Sequence, residues 1–108
     1  MSDPKTTDNL CEIFRVNAKN WVELDSAARM LEESKSAFLS MRMVEQGDVP
    51  VSKAELTAKA GELWQGYIES MVKARKEANL AKVKLEYIRM LFQQRMSDEA
   101  NARAERKM

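Results

Sequence analysis

QGDVPVSKAE, Gln46 to Glu55, is the stretch on which the fold turns. Gly47, Asp48 and Pro50 cluster there between two long segments of helical periodicity, and clusters of that kind punctuate helices. Residues 46–52 are therefore read as a hairpin turn. Just after it, Ser52 and Glu55 have the S-x-x-E spacing of a capping box, and Val51 and Leu56 stand where a hydrophobic staple crosses a helix start. The second helix is predicted to begin at Lys53.

Upstream of the turn, Leu10, Phe14, Asn17, Trp21, Leu24, Ala28, Leu31, Lys35, Phe38 and Arg42 alternate spacings of three and four, which aligns them on one face of a helix. Asn17, Lys35 and Arg42 interrupt that stripe with polar groups, so ordinary helix packing is expected, with Leu39 and Met41 filling in. Asp8 or Asn9 is the candidate cap. The first helix is placed at 9–45, behind a flexible N-terminus at 1–8.

Downstream, Met71, Ala74, Ala78, Ala81, Leu85, Ile88 and Phe92 continue the same spacing, and no proline follows Pro50. This predicts a second helix over 53–96. Gly61 and Gly66 each cost about 1 kcal/mol against Ala inside a helix, which marks 61–66, and Gly66 above all, as a candidate kink or break. Residues 97–108, rich in Ala, Arg and Glu, form a charged tail that extends the helix or frays. A short turn makes the two helices antiparallel, with Trp21 and Leu24 set near Ala74, Ala78 and Ala81. The expected fold class is all-α: a helical hairpin of one domain.

A second apolar set, Val72, Val83, Tyr87, Met90 and Leu91, lies away from that stripe, and a single partner helix leaves it uncovered. Either another copy of the chain covers it, as a homodimeric four-helix or coiled-coil-like arrangement, or it packs back on the segment around Leu10 and Ile13.

Charge is unevenly spread although the net value is only +1. Residues 1–50 hold 6 basic and 9 acidic side chains; residues 73–95 hold 7 basic and 2 acidic. The basic ones are Lys73, Arg75, Lys76, Lys82, Lys84, Arg89 and Arg95, and Arg75, Lys82 and Arg89 recur every seven positions. A stripe of this kind can follow a phosphate backbone, which makes these seven the candidate nucleic-acid contacts. The competing reading has them as solvated flanks of the seam, paired with acids such as Glu12, Asp25, Glu32 and Glu33. Aromatic residues for base stacking are sparse, and no helix-turn-helix spacing, zinc module or RNA-binding signature is present.

Catalytic constellations are not apparent. With no histidine, the usual zinc and di-iron ligand sets cannot be assembled, and neither Cys11 nor Ser34, Ser36 or Ser40 has a visible base. No metal or cofactor is expected. Gly61 and Gly66 lack the Lys-Ser/Thr ending of a phosphate loop. The single cysteine suits a reducing cytoplasm, and no signal peptide or membrane-spanning run is read.

The stretch KARKEANLAKVKLEYIRM, Lys73 to Met90, and the ending EANARAERKM resemble small helical proteins encoded by tailed phages and prophages. The resemblance covers about a third of the chain and implies an accessory role around DNA metabolism or host defence, without assigning any functional residue. Together these readings predict a non-enzymatic adaptor that binds another protein through the exposed face of the last helix. The alternative is a nucleic-acid-binding accessory protein of recombination or replication that uses the basic face.

Overall fold

The computed structural model describes residues 7–107, all in helices or the short connections between them. Three helices follow in order: α1, Thr7–Val44; α2, Val51–Ala60; and α3, Glu62–Arg106. The flexible N-terminus expected at 1–8 lies outside the described residues, except that Thr7 and Asp8 already belong to α1. Asp8 and Asn9 are thus inside the helix and do not stand at the cap expected of them.

Gly47 explains where α1 stops. Its φ of +81° places it in the left-handed region, which glycine enters without a Cβ penalty. From there its N–H donates to the Val44 carbonyl at 3.1 Å, and the Gln46 N–H donates to that of Met43 at 3.0 Å. These bonds occupy carbonyls that the end of a helix otherwise leaves without partners.

Pro50 explains where α2 starts. It is the cap residue, with φ −56° and ψ 144°, and its carbonyl accepts the Ala54 N–H at 2.9 Å. The helix therefore opens at Val51, two residues before the predicted start at Lys53. The expected capping box does not form: Ser52 lies inside the first turn, no side chain caps the helix, and Glu55 pairs instead with Lys59 at 2.8 Å. The staple fails too, since Val51 and Leu56 both stay largely exposed.

The helical run after the turn is interrupted at Gly61 and continuous through Gly66. Gly61 is extended, with φ −77° and ψ 156°; it donates to the Ala58 carbonyl at 3.2 Å and accepts the Gln65 N–H at 3.2 Å. One residue thus closes α2 and opens α3. The Gln65 side chain ties the joint by donating to the Lys59 carbonyl at 3.1 Å. Past this break, α3 continues to Arg106 and takes in most of the charged tail.

Packing divides the chain into two units. One joins α1 up to Glu23 with α3 from Asn79 onward; the other spans Leu24–Ala78. In the first unit Ala81, Leu85 and Ile88 are buried, with Leu10, Phe14, Trp21 and Phe92 half-buried. In the second, Ala28, Ala54, Ala58, Trp64 and Ala78 are buried. Here Phe38 stacks on Tyr67 with ring centroids 4.4 Å apart, and Trp64 lies 6.3 Å from both rings. Stacked aromatics of this geometry add to the burial they provide. The Tyr67 hydroxyl donates to the Leu31 carbonyl, so the ring's polar end is satisfied as well. Contacts from Phe38 to Trp64 and from Asp25 to Arg75 run in opposite senses along the two helices, which makes them antiparallel in this unit.

The polar members of the α1 stripe have individual explanations. The Asn17 amide donates to the Ile13 carbonyl one turn back at 2.8 Å, the Lys35 ammonium sits 5.9 Å from the Trp64 ring centroid, and Arg42 pairs with Glu45 at 2.8 Å. Met41, expected to fill in the packing, is exposed; Met43 is half-buried in its place.

The two helix-associated glycines differ in sign. Neither Gly47 nor Gly66 has an atom within 4 Å of where a Cβ would stand, so the outcome is decided by backbone conformation. Gly47→Ala forces a left-handed alanine and is expected to cost about 1–2 kcal/mol. Gly66→Ala, in the interior of α3, is expected to stabilise by about 1 kcal/mol. Chemical denaturation followed by circular dichroism reads both; equal signs at the two positions would contradict the helix limits described here.

Candidate functional site

On α3 the side chains of Leu80, Val83, Tyr87 and Met90 follow spacings of three, four and three, which at roughly 100° per residue lines them up on one face. That face lies about half a turn round from buried Ala81, Leu85 and Ile88. The four are 60–66% exposed, so each presents most of a large apolar side chain to water. Leu91, at 36%, borders them. Val72 is exposed on α3 as well, at 58%, within the other packing unit.

Of the residues predicted as a protein interface, Val83, Tyr87, Met90 and Leu91 thus fall together on one stretch of α3. Leu80, which the sequence reading did not include, lies on the same face. Its signal was available, because it extends the spacing of Val83, Tyr87 and Met90 one step toward the N-terminus. Trp64 and Tyr67 were missed in the same way, since they continue the stripe of Met71, Ala74 and Ala78 upstream. Leu10, the proposed alternative cover for this face, is half-buried, and Ile13 is 37% exposed.

The predicted basic contacts separate into committed and uncommitted groups. Arg75 is committed: its guanidinium donates from Nε and Nη2 to both carboxylate oxygens of Glu32, at 2.9 and 2.7 Å, and from Nη1 to Asp25 at 2.8 Å. Asp25 also pairs with Arg29 at 3.0 Å, so four charges of alternating sign form one network in the Leu24–Ala78 unit. Fork-to-fork geometry of this type uses the planar spacing of the guanidinium, which an ammonium cannot reproduce. Arg95 lies 3.5 Å from Glu99 on its own helix. Lys82, Lys84 and Arg89 are exposed and make no ion pair among the described residues. Lys73 and Lys76 are exposed on α3 within the unit that holds Arg75. Arg75, Lys82 and Arg89 therefore share a helix face but not a role.

The Arg75 hydrogen bonds hold the Glu32 carboxyl below its ordinary value of 4.5, and the same bonds, with those to Asp25, raise the guanidinium above its own. At the start of α1, Arg15 grips Glu12 at 2.6 Å and lowers that carboxyl likewise.

Two shallow hollows accompany these features. One, of about 280 Å³, is lined by Cys11, Phe14, Arg89 and Phe92; the other, of about 260 Å³, lies where Arg42, Gln46 and Thr57 meet the Gly61 joint and Trp64. Cys11 is an exposed free thiol. Among the described residues no three His, Cys, Asp or Glu side chains gather as a metal site, and no helix is long and apolar enough to cross a membrane. No family model, curated protein or solved structure matches the chain.

A depressed carboxyl contributes stability that is present above its unfolded value and lost as pH falls through its folded value. Glu32 is therefore expected to support the fold at neutral pH and to stop doing so in acid, below its ordinary 4.5. Thermal melts of the wild type and Arg75→Met are expected to show the variant melting lower at pH 7, with the gap narrowing by pH 3. A gap independent of pH would mean that Arg75 acts through packing alone.

Proposed function

We propose that this chain is a non-enzymatic helical interaction protein that acts by protein–protein binding through the exposed face of α3. One observation carries the reading: Leu80, Val83, Tyr87 and Met90 form a continuous apolar strip, each more than half exposed. Scattered apolar residues are ordinary on a protein surface, whereas a contiguous row bounded by polar side chains is characteristic of a binding face. Pairing of two copies into a four-helix arrangement is one way to cover the strip, and binding of a different protein is another. The cytoplasmic setting and the phage or prophage origin belong to the same proposal; they rest on the lone Cys11 and on the resemblance of Lys73–Met90.

The second reading is nucleic-acid binding, favoured by the exposure of Lys73, Lys76, Lys82, Lys84 and Arg89. Arg75 drops out of that set because its donors are spent on Glu32 and Asp25. Without Arg75 the seven-residue repeat shrinks to Lys82 and Arg89, which ranks this reading below the first.

The test is light scattering after size exclusion, across a range of concentration, on the wild type, Val83→Glu and Tyr87→Glu. Both positions are exposed, so helicity is expected to stay unchanged. A wild-type dimer that both variants turn into monomer would assign the strip to self-pairing. A monomeric wild type leaves the strip to a different protein. Mass that changes with salt and added duplex, but not with either substitution, would favour the nucleic-acid reading instead.

A further inference from the structure

We infer that the occupant of the α3 strip is an amphipathic helix of another protein whose apolar face is flanked by acidic side chains. This rests on the protein-binding reading above and narrows it to a partner of stated chemistry. Length and charge carry the inference.

The strip is short and closed at both ends. Leu80 to Met90 spans about 15 Å of helix, and the same face carries Lys76 one turn before it and Gln94 one turn after it. A contact of three turns matches the row of anchors that an amphipathic helix inserts on a helical partner. A bilayer surface rewards a longer and unbroken apolar face, and Glu86 at the edge of this one opposes burial among lipid headgroups. A phosphate backbone would satisfy the lysines but leave Leu80, Val83 and Met90 in water.

The surroundings of the strip carry a net positive charge. From Asn79 to Arg95 there are four basic side chains and one acidic one, Glu86. Lys84 lies along one edge; Lys82 and Arg89 stand behind Glu86 on the other, and these three cations make no ion pair among the described residues. Laying the same face of a second copy on this one would bring two net-positive segments together and bury apolar surface against that repulsion. An acidic border on the partner removes the repulsion and supplies the charges that Lys82, Lys84 and Arg89 lack. Long basic side chains also cover the edges of an apolar seam with their methylene stems, which suits them to flank a docked helix.

The experiment uses the full chain and two fluorescent peptides of about four turns, each with leucines at coiled-coil spacing. One peptide is flanked by glutamates and the other by lysines, and binding is read by anisotropy. The glutamate peptide is expected to bind at least about tenfold more tightly, with the advantage shrinking as salt rises. In the double variant Lys82→Glu, Lys84→Glu that preference is expected to reverse, and Tyr87→Glu is expected to weaken both peptides. Equal binding of the two peptides overturns the acidic partner and leaves the protein-binding reading standing. The same holds for failure of both peptides alongside a wild-type dimer that Tyr87→Glu dissociates. Failure of both peptides with a monomeric wild type, together with binding of phosphatidylserine vesicles or of an oligonucleotide that the double variant abolishes, overturns both readings. Circular dichroism of each variant confirms that the helices persist.

Discussion

A helix packed along one stripe buries that stripe and no more, and most features of this protein follow from that constraint. Of the eight buried apolar residues among those described, five are alanines, Ala28, Ala54, Ala58, Ala78 and Ala81, accompanied by Trp64, Leu85 and Ile88. Alanine lets helices approach closely but removes little apolar area from water, so the hydrophobic term per residue is small. The larger side chains that would deepen a core are instead divided among half-buried positions and exposed positions on all three helices, the outer face of α3 among them. In the Leu24–Ala78 unit the deficit is offset by the stack of Phe38, Trp64 and Tyr67, and by the short α2, which adds Ala54 and Ala58 to the buried set.

Where apolar packing is thin, polar contacts take on the task of setting register. Asp25, Arg29, Glu32 and Arg75 form the network that joins α1 to α3 within that unit, and Tyr67 adds a hydrogen bond to the Leu31 backbone. Partly exposed ion pairs contribute little to overall stability because water competes for both charges. Their geometric requirement is strict, however: a forked guanidinium that meets both oxygens of Glu32 does so at one relative setting of the helices. Sliding either helix by a turn would separate all of these partners together. The network thus selects among registers that a row of alanines would tolerate almost equally well.

The turn, the antiparallel pairing and the line of the α3 stripe were legible because each rests on a local rule. Gly47 and Pro50 restrict the backbone whatever surrounds them, and three-four spacing survives any environment. The capping box was misread because two local rules compete at 50–55: Pro50, fixed near the dihedral of a helix entry, opens the helix before Ser52 reaches the cap position. The break falls at Gly61 and not at Gly66 for a reason beyond propensity. Only the former is positioned for Ala58 and Gln65 to use its N–H and carbonyl while the chain changes direction. Trp64, Tyr67 and Leu80 each extend a run already visible in the sequence; for Trp64 and Tyr67 the glycines at 61 and 66 obscured it by marking a candidate break. Met41 shows the opposite error, an apolar residue assigned to packing that faces water. For the basic residues the limit was different. Composition gave their number and spacing, but which of them had acidic partners depended on where α1 would lie, and only the folded chain separates Arg75 from Lys82 and Arg89.

That separation bears on what the outer face of α3 is for. A basic residue whose donors are satisfied within the fold adds nothing to the field a partner meets; one without an acidic neighbour does. After Arg75 is assigned to Glu32 and Asp25, the cations between Asn79 and Met90 on α3 that make no ion pair among the described residues are Lys82, Lys84 and Arg89, all within two turns of Tyr87. Uncovered apolar surface and uncompensated charge therefore coincide on one short segment. Apolar burial supplies attraction without choosing among partners, whereas charge rejects wrong partners more effectively than it strengthens right ones. A segment that carries both, on a helix whose opposite face is buried, suits the selective interaction proposed for it without any change in the fold beneath it.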